Sequence, residues 1–155
     1  MDTAQFFNCF NQFLLGKFHI ICVNIRMIFK SYKEAHEHLG IPGSYQRGTH
    51  GTPETGVTSL KITVHPESYD KILDNGKTIY YVGKGNKPTP AHPTKSQDLD
   101  KQELFKTSIE TQKKFPVLYK YEPHKVKLLG HYRVVNLKRA RRGDVIFYYA
   151  ILKRV

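Results

Sequence analysis

Five runs dense in β-branched and aromatic residues constrain the fold more than anything else in the chain: Val57 to Val64, Thr78 to Val82, Phe115 to Tyr121, Lys127 to Leu137 and Val145 to Lys153. Each reads as a strand. Repeated strands leave unpaired edges, which a sheet hides best by closing on itself. With 155 residues the chain is the size of one domain, too short for a reader module plus a separate catalytic domain. The expected class is therefore α+β: a twisted β-barrel with a few short helices packed outside it.

The helices are short. Ser31 is placed to cap a helix from Tyr32 to Leu39, with Glu34 in its first turn and Gly40 as its stop. A polar helix is predicted from Lys101 to Lys113. Ile41 to Gly56 carries Pro42, Gly43, Gly48, Gly51 and Pro53 and reads as loop. So does Gly85 to Asp100, with Pro88, Pro90 and Pro93; a loop this long inside a compact domain is usually functional or disordered.

Upstream, Phe6, Phe7, Phe10, Phe13 and Leu14 recur at helical spacing up to Gly16, and Phe18 to Phe29 reads as a strand. Lys17, His19, Asn24 and Arg26 interrupt this apolar region, which falls short of the roughly 20 clean residues a spanning helix needs. No membrane partner is expected. The functional domain is drawn from 27 to 155, with residues 1–26 as an N-terminal extension that packs as helix and strand. Cys9 and Cys22, the only cysteines, lie in that apolar region without zinc-ligand spacing, which points to reduced thiols and an intracellular compartment.

Charge narrows the partner. Lys and Arg number 25 against 13 Asp and Glu, a formal net charge of +12. Such a surface attracts polyanions and speeds their encounter. With no basic amphipathic helix in the chain, nucleic acid is favoured over a membrane. Arg139, Arg141 and Arg142 crowd the basic segment Lys138 to Asp144, read as a turn, where phosphate contact and a plain solvated charge run are even alternatives. Arg47, Lys84, Lys87 and Lys95 are further candidates for contacts to a nucleic-acid backbone, and Lys113, Lys114, Lys120, Lys125 and Lys127 form a second basic band.

Between Tyr69 and Gly85 an acidic, aromatic turn runs into a strand that ends on Gly83 and Gly85. Tyrosine faces stack on any base. A buried Asp70 or Asp74 can accept a hydrogen bond from an exocyclic amine. Tyr80 and Tyr81 are adjacent on one strand and so point to opposite faces, one to the core and one to a ligand. The alternative is that the tyrosines are ordinary strand residues and the aspartates turn formers. Gly83-Lys84-Gly85 matches neither a P-loop nor a dinucleotide fingerprint.

Catalytic patterns are missing from the sequence. His36 and His38, with Glu34 and Glu37 nearby, are two apart and do not share a helix face, whereas the zincin pattern needs two histidines four apart; they read as a solvated helix face. There is no Ser/His/Asp, Cys/His or two-carboxylate pattern, and Glu103 with Lys106 does not reproduce the Glu-x-Lys of a metal nuclease. The reading is a binding module, with no cofactor and no metal. The alternatives are a nuclease or base-processing enzyme on the same barrel, or an RNA-binding module.

The order of these elements resembles the SET- and RING-associated (SRA or YDG) domain, a PUA-like barrel that reads modified cytosine by flipping it from the duplex. The matching stretches are Phe-Lys-Ser-Tyr-Lys-Glu-Ala-His at 29–36, Gly-Thr-His-Gly at 48–51 with the following Gly56 to Ile62, Tyr69 to Gly85, Gln102 to Val117 and Gly130-His-Tyr-Arg-Val-Val. The resemblance implies that Tyr69 and Tyr81 sandwich a flipped base beside Gly83, that 85–100 is the finger entering the duplex, and that the partner is double-stranded DNA in a nucleus or nucleoid. The chain departs from the family pattern at Ile72, Val82 and Leu128-Leu129, which stand at the positions of the base-reading aspartate, the strand threonine and the Tyr-Asp signature.

Overall fold

A computed structural model describes residues 27–43, 48–63, 69–82 and 102–155, the Arg142 side chain excepted. The expected helix at Phe6 to Leu15, both cysteines, Arg47, Gly83, Lys84, Lys87, Lys95 and the 85–100 segment lie outside the described residues.

In chain order the elements are β1 (Ile28–Phe29), α1 (Tyr32–Leu39), β2 (Thr49–Thr52), β3 (Gly56–Ile62), β4 (Lys71–Leu73), a single 3-10 turn at Asp74–Gly76, β5 (Thr78–Val82), α2 (Glu103–Thr111), β6 (Phe115–Glu122), β7 (Lys125–Arg142) and β8 (Val145–Arg154). The α1 start follows the expected chemistry. Ser31 Oγ accepts the Glu34 N–H at 3.1 Å, the Glu34 carboxylate accepts the Lys30 N–H at 2.6 Å, and Gly40 ends the helix at φ 63°.

Eight strands form one sheet in the order β2-β3-β6-β7-β8-β5-β4, with β1 pairing β7 off this path. The β3–β6 pair is parallel and every other pair is antiparallel. Leu60 and Ile62 from β3 share one core with Ile79 and Tyr81 from β5, although those strands stand far apart in the sheet order. The sheet must curl to bring them together. α2 fills the concavity with Leu104 and Phe105, and Phe115, Val117, Tyr132, Val134 and Leu152 complete the core. On the other face α1 covers β6 and β7 through a smaller cluster of Phe29, Ala35, Leu118 and Val126. A strand-dominated α+β domain is thus present; among the described residues the hydrogen-bonded path stays open at β2 and β4.

Three details correct the sequence reading. The Ile41 to Gly56 stretch is not all loop, because β2 forms there and pairs with β3 around a bulge between His50 and Gly51. Gly51 makes this possible: its φ is 132°, and a Cβ there would lie 2.0 Å from the Gly56 carbonyl oxygen. Second, the basic stretch from Lys138 is not a turn; it continues β7, and only Gly143 and Asp144 turn the chain into β8. Arginine and lysine stems tolerate an extended backbone as well as a loop, so charge alone does not mark where a strand ends. Third, His36 is not on a solvated face but buried, as described below.

Candidate nucleic-acid interface

The stretch from Tyr69 to Val82 folds back on itself as β4, the 3-10 turn and β5. Asp70 is buried, and its Oδ1 accepts the Val82 N–H at 2.8 Å, tying the entry of β4 to the exit of β5. Asp74 is exposed at the far end, where Asn75 and Gly76 turn the chain at positive φ; its Oδ2 accepts the Thr78 hydroxyl at 2.9 Å. The two aspartates are four positions apart along the chain, roughly 13 Å if extended. The structure therefore brings Asp70, and not Asp74, to the Tyr81 end.

Tyr81 is only 4% exposed. Its ring lies against Phe105 with centroids 6.0 Å apart, and its hydroxyl is 2.9 Å from the Thr49 hydroxyl. Burial pushes its phenol above the usual value, the Asp70 charge adds to the rise, and the Thr49 hydrogen bond opposes it. Tyr81 is thus the core member of the tyrosine pair. Tyr80 points the other way.

On the Tyr80 side the antiparallel register sets up an aromatic face. Tyr80 is opposite Lys71 and Ile151, Val82 is opposite Tyr149, and Phe147 follows two residues along β8. Together with Tyr69 these side chains line a groove of about 260 Å³. Tyr69 and Phe147 are nearly parallel, with centroids 6.0 Å apart and planes at 25°, while Tyr80 and Tyr149 meet at 5.5 Å and 49°. The rings of Tyr69 and Tyr81, paired by the resemblance, border different surroundings: the groove and the core. Phe147 and Tyr149 were missed in the sequence, although the alternation Phe147, Tyr149, Ile151 along a strand was a readable signal that one face of β8 is apolar.

Arg139 and Arg141 are exposed on the extended β7, opposite Tyr148 and Ile146, and share a face; Arg142 occupies the register position opposite Val145. Arg141 Nε also donates to the Gly143 carbonyl at 2.8 Å, holding the turn. In the second basic band Lys127 Nζ lies 5.3 and 5.2 Å from the Tyr119 and Tyr121 ring centres, Lys125 pairs with Glu122 at 2.6 Å, and Lys113, Lys114 and Lys120 are exposed.

Beneath α1 lies a cluster of His36, His50 and Lys61. His36 is 3% exposed, its ring is T-shaped on His50 at 4.6 Å, and among the described residues neither of its nitrogens has a hydrogen-bond partner. Burial, then His50 and Lys61, push it down to about 4. Lys61, with Nζ 4.7 Å from the Tyr32 ring centre, is lowered by burial to about 8. Among the described residues no three His, Cys, Asp or Glu side chains gather to hold a metal ion. Nor is any helix there long and apolar enough to cross a membrane.

A profile of the SAD/SRA domain matches residues 18–155. The chain belongs to the SAD/SRA domain family. No curated protein matches its sequence. Solved structures with the SRA fold include the SUVH5 SRA domain in complex with hemi-methylated CG DNA, with TM-score 0.64, 22% identity, and coverage of 82% of this chain and 84% of that one. KRYPTONITE in complex with mCHG DNA and SAH gives TM-score 0.65 and 20% identity, with 84% of this chain aligned to 32% of that chain. The modification-dependent TagI restriction endonuclease gives 0.63 and 19%, with 84% of this chain aligned to 49% of that chain. The SAD/SRA chain thus corresponds to about a third of KRYPTONITE and half of TagI. These likenesses establish the fold; Tyr81 in the core and the groove beside Tyr80 are features of this chain's own side chains.

Proposed function

We propose that this SAD/SRA domain is a DNA-binding module that recognises a modified, cytosine-type base extruded from double-stranded DNA, and that it works where the DNA is, in a nucleus or nucleoid. The family match over residues 18–155 carries the reading. It is supported by SUVH5 SRA structures bound to hemi-methylated and to fully hydroxymethylated CG DNA and by the net charge of +12. The family's barrel closure is part of the same proposal, since closure would hide the edges left at β2 and β4.

In this reading most of the affinity comes from phosphate contacts by Arg139, Arg141 and Arg142, with Arg47, Lys84, Lys87 and Lys95 joining from the loops. The base pocket is built at the Gly83 end of β5, where Asp70 and Tyr81 form a rigid wall: Tyr81 is held by Thr49 and Phe105, and Asp70 by the Val82 N–H. Such fixed groups lose little freedom on binding, which helps offset the few kcal/mol that extrusion costs. Asp74 serves the turn. The role in this reading is binding.

The test is a competition among duplexes carrying cytosine, 5-methylcytosine, 5-hydroxymethylcytosine or N6-methyladenine, repeated with RNA of the same sequence and with a divalent cation to expose cleavage. The expected result is tightest binding to one modified-cytosine duplex, with the DNA intact. Equal affinity for all four duplexes, or preference for RNA, would overturn the proposal.

A further inference from the structure

The groove lined by Tyr69, Tyr80, Val82, Phe147 and Tyr149 is separate from the wall that Asp70 and Tyr81 form in the duplex reading. It lies on the face of β5 opposite Tyr81, and its rings are half-buried. We infer that it is a stacking site for an unpaired nucleotide, so that the domain also holds single-stranded DNA.

Three observations support this occupant. First, the slot is lined by flat aromatic faces: Tyr69 and Phe147 stack with centroids 6.0 Å apart and planes at 25°, and any base can stack on the face of such a ring. Tyr80 and Tyr149 continue the aromatic surface beside them.

Second, cations flank the slot on the strands either side. Lys71 is opposite Tyr80, and Lys138 is opposite Tyr149, so both share the aromatic face; both are exposed. Aromatic rings bordered by lysines on a strongly basic protein fit a strand of stacked bases and phosphates, and fit an aliphatic or acidic-peptide partner less well. Third, no carboxylate lines the groove among the described residues. A cytosine or adenine amine finds no acceptor of that kind there, so stacking dominates and the site is tolerant of sequence. The inference goes beyond the duplex reading and does not rest on it.

Fluorescence anisotropy with labelled hexathymidylate tests it, against the same strand made abasic. Wild-type protein should bind thymidylate about 5- to 150-fold more tightly than the abasic strand, the range expected for one stacked base. Phe147→Leu keeps an apolar side chain at a half-buried position and removes the flat π face; it should bind thymidylate as weakly as the wild type binds the abasic strand, with unchanged duplex affinity and a Tm close to wild type. Equal wild-type affinity for the two strands would overturn the inference. So would full thymidylate binding by Phe147→Leu, or a fall in duplex affinity by the same factor as single-strand affinity. If Phe147→Leu does not fold, the abasic comparison on the wild-type protein decides alone. A flat result in the duplex competition would leave this outcome untouched, which separates the two readings.

Discussion

Tyr81→Phe separates a pocket wall from a mobile clamp. The Tyr81 hydroxyl is buried and lies 2.9 Å from the Thr49 hydroxyl, itself on a buried residue. Removing it while Thr49 stays in place strands a buried polar atom, which costs about 1–3 kcal/mol. For a domain of this size that lowers Tm by roughly 3 to 10 °C. Tyr81→Ala is a blunter tool. It removes a ring packed on Phe105, leaves a cavity, and costs about 3–5 kcal/mol, a large share of the roughly 5–15 kcal/mol that holds such a domain together. The phenylalanine variant is therefore the one to read. Urea denaturation of both proteins gives the stability difference, and the modified-duplex competition run on the same preparations gives the affinity. The expected outcome is a clear drop in urea midpoint with an unchanged slope, and base preference within about twofold of wild type, because the retained ring still supplies the wall. A wild-type midpoint combined with lost base preference would refute the reasoning: the hydroxyl would then belong to the ligand and not to the core.

Acid should loosen the α1 side first. His36 has a folded pKa of about 4 against an ordinary 6.5, so the unfolded chain binds the extra proton and stability falls as pH drops from 6.5 toward 4, with the full contribution present above 6.5. The neighbours facing it are His50 and Lys61, both cations when protonated, so no described carboxylate offsets the charge. Urea midpoints measured across that window should fall more steeply for wild type than for His36→Leu; parallel curves would show that the His36 pKa is the same in the folded and unfolded chain. On the nucleic-acid side, replacing Arg139, Arg141 and Arg142 with Ala should weaken binding to all duplexes alike. It should also flatten the log K against log salt plot by about 0.9 for each phosphate no longer neutralised; an unchanged slope would place the β7–β8 hairpin away from DNA.

Local chemistry was legible wherever it was self-contained. Ser31, Glu34 and Gly40 specify α1 by themselves, because capping hydrogen bonds reach only a few residues along the chain. The strands β3, β5, β6 and β8 follow from their β-branched and aromatic runs. The ordered motifs from Phe29 to Val135 carried the family resemblance, which the profile match established. β2 and β4 could not be read in this way: at four and three residues they are too short to show a period, and they exist because β3 and β5 offer them partners.

Which tyrosine faces the core was decided by tertiary structure alone. Sequence alternation says that Tyr80 and Tyr81 point opposite ways, and no more. The curl of the sheet around Phe105, and Thr49 arriving from a strand more than thirty residues away in sequence, settle that Tyr81 is inside. The same packing turns His36, one of several polar residues on a short helix, into a buried ring against His50. It also brings Phe147 beside Tyr69 across 78 positions of sequence. Composition determined that the chain is basic and strand-rich, because charge and β-propensity are properties of residues taken singly. Pocket, wall and groove are properties of pairs brought together from distant strands, and only the folded sheet selects those pairs.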